Sequence, residues 1–113
     1  MDFLNKVELI GIVGNVNVSK VAETKMVTLS VMTEHAYTNK NGELIVNCEW
    51  HNVSANEQVI KGNLEDITRG SWVKVSGRIT TRTYFSDEGA KRLCTIVAGS
   101  LELLNNNPAQ EGH

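Results

Sequence analysis

Residues 46–67, VNCEWHNVSANEQVIKGNLEDI, carry the passage from which the fold is read. In the first half, alternation places Asn47, Glu49, His51, Val53 and Ala55 on one face of a β-strand. Cys48, Trp50, Asn52 and Ser54 fall on the other. Val53 and Ala55 mark the end that meets a core, so Trp50 stands among small or polar neighbours in a chain with only two tryptophans. In the second half Val59, Ile60, Leu64 and Ile67 have helical spacing, weakened by Gly62-Asn63, which makes residues 56–67 the one helical candidate.

Outward from this passage the chain reads as short β-runs. Residues 7–13 form a first strand, in which Gly11 and Gly14 predict a bend or bulge. Residues 26–32, MVTLSVM, put Val27, Leu29 and Val31 on one face. Asn39-Lys40-Asn41-Gly42 is a hairpin turn signal leading into the Trp50 strand. Residues 71–84 form a long strand that ends before the turn Asp87-Glu88-Gly89, and residues 91–104 form the last one. Five strands with one short helix between the third and fourth is the order of an all-β OB-fold barrel. Periodicity alone also permits another small barrel or an α+β sheet.

The 113 residues are enough for one domain with its own core. That domain is expected over residues 1–104, followed by a short polar disordered tail, NNNPAQEGH, over 105–113. The net charge of −2 supplies no overall basic field, although a local stripe matters more than the sum. Cys48 and Cys94 lie far apart with no C-x-x-C pair, which reads as two reduced thiols. His35, His51 and His113 have no carboxylate at ligand spacing, and neither a nucleophile elbow nor a glycine-rich phosphate loop is present. The expectation is therefore a non-enzymatic protein with no metal and no cofactor. The first residues lack the pattern of a signal peptide, and no stretch has the length of a membrane span, so a cytoplasmic location is expected.

The clearest chemistry lies in SWVKVSGRITTRTY, residues 71–84. Val73, Val75, Gly77, Ile79 and Thr81 share one face. Lys74, Ser76, Arg78, Thr80, Arg82 and Tyr84 share the other, so three cations and an aromatic point the same way. Phosphates need positive charge at roughly the backbone repeat, and unstacked bases need a flat π surface beside it. A solvated strand face is the plainer reading of that stripe, and an oligomer interface or barrel rim is the plainer reading of Trp50. Together, the stripe and the tryptophan favour single-stranded nucleic acid, with Tyr37 and Lys40 at the hairpin turn as possible extensions of the same surface. Trp72 is expected at a barrel end or an interface. His51, opposite Trp50 on its strand, is expected in the interior or at an interface.

The segments NKVELIGIVG, CEWHNV, RGSWVKVSGRITTRTY and the Asp87-Glu88-Gly89 turn resemble bacterial single-stranded DNA-binding proteins from about residue 5 to residue 104. The resemblance implies an OB-fold that assembles as a homo-oligomer, usually a tetramer, and binds single-stranded DNA without sequence preference in replication, recombination or repair. It maps stacking aromatics onto Trp50, Tyr84 and approximately Tyr37, the arginine of the T-R-x-aromatic motif onto Arg82, and a subunit-contact histidine onto His51. Asn52, Asn56, Gln58 and Thr80 stand where the family usually has a cation or an aromatic, which implies weaker binding. The tail lacks the acidic, hydrophobic tip by which family members recruit other proteins. A tailless chain is also similar to primosomal replication protein N, a dimeric OB-fold relative in replication restart. A protein-binding OB module, with Trp50 as a hot spot, is the rival class.

Overall fold

The computed structural model describes residues 2–104, so the reading of 105–113 as a disordered tail lies outside the described residues. The strands are β1 (Val7–Val21), β2 (Thr24–Thr38), β3 (Leu44–Asn56), β4 (Ile60–Lys61), β5 (Trp72–Ser86) and β6 (Gly89–Leu104). They form one sheet in the order β3-β2-β1-β5-β6-β4. A parallel pairing of Val53 and Ser54 with Ile96 and Val97 joins β3, at one end, to β6, next to the short β4 at the other, and closes the ring. The five long strands correspond to the five read from the sequence, and their closure is that of an OB barrel.

Valine supplies half of the twelve buried core residues, because a β-branched side chain packs well on a pleated surface. Val27, Leu29 and Val31 of β2 meet Val53 and Ala55 of β3, Val73 and Val75 of β5, and Leu101 of β6, all almost fully buried. Two bulges let the strands curve around this core. On β1, Val13 pairs with Val31 and Val16 with Leu29, so Gly14 and Asn15 together face Ser30. The Asn15 amide donates to Ser30 Oγ at 2.9 Å, which satisfies a group that the bulge removes from the ladder. On β6, Ser100 pairs with Ser76 but Ala98 pairs with Gly77, leaving Gly99 as the extra residue. Leu101 and Leu103 therefore face inward on one side of Gly99, and Ala98 and Ile96 on the other.

Residues 56–67 depart from the expected short helix. They form two 3-10 turns, Glu57–Val59 and Leu64–Asp66, separated by β4. Ile60 and Lys61 pair in parallel with Leu101 and Glu102, which draws their backbone groups out of any helical ladder. Gly62 follows with φ of +113°, a conformation no helix contains. Asn56 Oδ1 caps the first turn by accepting from the Gln58 amide at 2.9 Å. The apolar spacing still reports burial, since Ile67 is in the core and Val59, Ile60 and Leu64 pack against it.

Beyond the core, β2–β3 and β5–β6 continue as two hairpin arms. The first turns at Asn39-Lys40-Asn41-Gly42, where Asn39 Oδ1 accepts from the amides of Asn41 and Glu43 and Gly42 has φ of +81°. The second turns at Asp87-Glu88, followed by Gly89 with φ of +112°. Both arms lie outside the core, and their residues are largely exposed.

Candidate nucleic-acid interface

Strand register decides which of the expected residues share a surface. On β5, Arg78 is opposite Val97, Thr80 opposite Thr95, Arg82 opposite Leu93 and Tyr84 opposite Lys91. These are outward positions, because the alternate residues Gly77 and Ile79 are opposite the inward Ala98 and Ile96. The closing pair extends the same face to β3, where Ser54 lies beside Val97 and Val53 beside Ile96. Counting back from Ser54, Asn52 and Trp50 are outward as well. By register, Trp50 on β3 and Arg78, Arg82 and Tyr84 on β5 thus all point outward on either side of the β3–β6 closure, with Leu93, Thr95 and Val97 on the intervening β6. Trp50 is 58% exposed and Tyr84 46% exposed, so each presents ring surface to solvent.

Lys74 is outward too, but Glu102 lies directly opposite on β6 and Ile10 on β1. An acid beside it offsets part of its field. Tyr37 does not join the Trp50 face. It pairs with Ile45 and shares its parity with the buried Val27, Leu29 and Val31, whereas Trp50 pairs with Met32 on the opposite side of the same hairpin. The Tyr37 ring stacks instead on His35, with centroids 5.9 Å apart and planes 28° apart. Lys40 sits exposed at the tip of that arm, away from the β5 stripe.

His51 faces inward opposite Val31, and its Nε2 lies 2.9 Å from Thr33 Oγ1. Its hydrogen bond is thus met within the chain, as the sequence reading allowed. Trp72 is half-buried where β5 begins and lines a hollow of about 310 Å³ with Asp66, Gly70, Leu103 and Leu104, at a barrel end as expected.

One cation escaped the sequence reading. Past the Val53–Ile96 pair, β3 and β6 splay apart and open a groove of about 290 Å³ lined by Trp50, His51, Asn52, Arg92, Leu93, Cys94 and Ile96. Arg92 alternates with Cys94, Ile96 and Ala98, a pattern that marks an inward residue. Only the splay of the two strands, invisible in one strand's periodicity, brings Arg92 into one groove with Trp50.

Charge pairing leaves most of these cations available. Among the described residues, two of the eleven lysines and arginines are held in ion pairs, Lys6 by Glu8 at 3.5 Å and Lys91 by Glu88 at 3.1 Å. Arg78, Arg82 and Arg92 are therefore free to meet an external anion. No group of three or more histidine, cysteine or acidic side chains is placed to hold a metal among the described residues. An exposed aromatic beside unpaired guanidinium groups, on a barrel closed in the OB manner, can stack a base and neutralise the adjoining phosphates.

Residues 4–104 match the family described as "Single-strand binding protein family". The chain belongs to that family. Its relatives include a protein named single-stranded DNA-binding protein from Neisseria meningitidis serogroup A, 30% identical across 96% of this chain. This chain covers 64% of that relative's length. One of the same name from Bacteroides thetaiotaomicron is 32% identical, across 96% of this chain and 71% of the relative. Among solved structures, a Plasmodium falciparum SSB complex with ssDNA superposes with a TM-score of 0.77 at 24% identity, over 93% of this chain and 98% of that one. Wild-type single-stranded DNA binding protein from Thermus aquaticus gives 0.72 at 21% identity, over 92% and 52%. These superpositions establish the OB barrel.

Proposed function

We propose that this protein binds single-stranded DNA with little sequence preference, coating strands exposed in replication, recombination or repair. The observation that carries the proposal is the outward placement of Trp50, Arg78, Arg82 and Tyr84 on strands joined through the β3–β6 closure, with Arg92 lining the same groove as Trp50. Bases stack on the exposed indole and phenol rings, and the guanidinium groups neutralise phosphates along the strand. A backbone-and-stacking mode of this kind reads no base edge, so every base is accepted. Lys74 contributes less, because of Glu102. Tyr37 and Lys40, on the other face and at the tip of the β2–β3 arm, serve a strand that wraps the arm rather than one confined to the Trp50 face.

The family relationship supports the same reading. It also supports self-association, with a tetramer favoured over a dimer, and a cytoplasmic site of action. Net charge is −2, so attraction to DNA is local, and binding weakens steeply with salt. A single strand and a duplex of equal length distinguish this from charge attraction alone. Clear preference for the single strand is expected, because paired bases cannot stack on side chains; equal affinity contradicts the proposal. If Trp50 is instead a hot spot for a protein partner, oligo-dT leaves its fluorescence unchanged.

A further inference from the structure

Gly14 has no conformational reason to be glycine, since its φ is not among the positive values of Gly42, Gly62, Gly70 and Gly89. Its reason is spatial. A Cβ placed there would lie 2.5 Å from Cζ3 and 2.9 Å from Cη2 of Trp50, and 2.8 Å from Ser30 Oγ. The indole of a β3 residue therefore crosses β2 and rests on the bare backbone of β1. Gly14 is buried while Trp50 is 58% exposed, so the Cζ3–Cη2 edge of the ring lies over the glycine while the residue stays largely open to solvent. The bulge contributes as well. It puts Gly14 and Asn15 together opposite Ser30, and Ser30 Oγ is engaged by the Asn15 amide.

We propose that Gly14 is the positioning residue of the stacking platform, a seat that fixes the Trp50 ring before DNA arrives. This rests on the reading of Trp50 as a base-stacking residue. A long side chain ordered only on binding spends part of its interaction energy on that ordering, and a seated ring does not. Any side chain at position 14 lifts the ring from its seat and returns that cost to the binding step. Gly14 itself touches no base or phosphate, so it adds nothing to the charge of the surface.

A double-mutant cycle on oligo-dT binding tests this, using the full chain with Gly14→Ala, Trp50→Ala and both together. Gly14→Ala is expected to weaken binding about two- to tenfold at constant salt slope in the parent, and not at all in the Trp50→Ala background. An equal loss in both backgrounds overturns the seat while leaving the platform intact. No loss from Trp50→Ala itself refutes the platform instead, which separates the two failures. If Gly14→Ala does not fold, NMR of the parent and of Trp50→Ala answers the question. The Gly14 α-protons are expected to carry a ring-current shift that disappears with the indole, and unchanged shifts overturn the proposal.

Discussion

Arg92→Ala and Lys91→Ala remove one cation each from adjacent positions on β6, and should differ sharply in effect. Arg92 lines the Trp50 groove and has no ion-pair partner among the described residues. Lys91 is tied to Glu88 at 3.1 Å. For single strands each neutralised phosphate contributes about 0.7 to the slope of log affinity against log salt. If Arg92 neutralises one phosphate, its loss lowers the slope by that amount. Taking 1 M salt as the point where the electrostatic contribution vanishes, the deficit is about fivefold at 0.1 M and about 15-fold at 0.02 M. Lys91→Ala also frees the Glu88 carboxylate, but that group lies in the turn of the β5–β6 arm and is exposed, so its slope change should be well under half as large. Quenching of intrinsic fluorescence by oligo-dT, titrated from 0.02 to about 0.5 M salt, measures both. An Arg92→Ala slope equal to the parent's, or a Lys91→Ala change as large as that of Arg92→Ala, refutes the assignment of Arg92 to the DNA surface.

Trp50→Ala should cost about 1–3 kcal/mol at every salt concentration, since it removes a π surface and no charge; isothermal titration at two salts reads it. In the same titrations Arg82→Ala should lower the salt slope more than Lys74→Ala, because Glu102 faces Lys74. Sedimentation at micromolar concentration should find an assembly heavier than the 12.5 kDa chain, a tetramer or else a dimer, and a monomer alone counts against self-association. Ala22, in the β1–β2 turn, has φ of +57°, a conformation costly for any residue with a Cβ. Ala22→Gly should therefore raise stability by about 0.5–1 kcal/mol, seen as a higher urea midpoint, with DNA affinity unchanged.

The fold was legible because valine alternation and turn chemistry agree along the chain. Val27, Leu29 and Val31, and likewise Val73 and Val75, are all fully or almost fully buried. The 56–67 segment misled because apolar spacing reports which residues are buried and not how the backbone is bonded. A sheet edge on β6 captured Ile60 and Lys61, and Gly62 broke what remained. Trp50, Arg78, Arg82 and Tyr84 were legible as outward residues, but their union required the β3–β6 closure, a contact between residues more than forty positions apart in sequence. The position of Tyr37 was readable after all, since it shares odd parity with Val31 and Trp50 does not. Gly14 was legible as a bulge. Its place under an indole two strands away was not, because no local rule links those residues.

The most direct test follows the fluorescence of Trp50, in a Trp72→Phe background that leaves it the sole tryptophan, during titration with oligo-dT and with a duplex of equal length. Saturable quenching by the single strand, weakening as salt rises and much reduced with the duplex, is the predicted result. Unquenched fluorescence on addition of a single strand that demonstrably binds would contradict the central claim, because the DNA would then be held elsewhere than on the Trp50 surface.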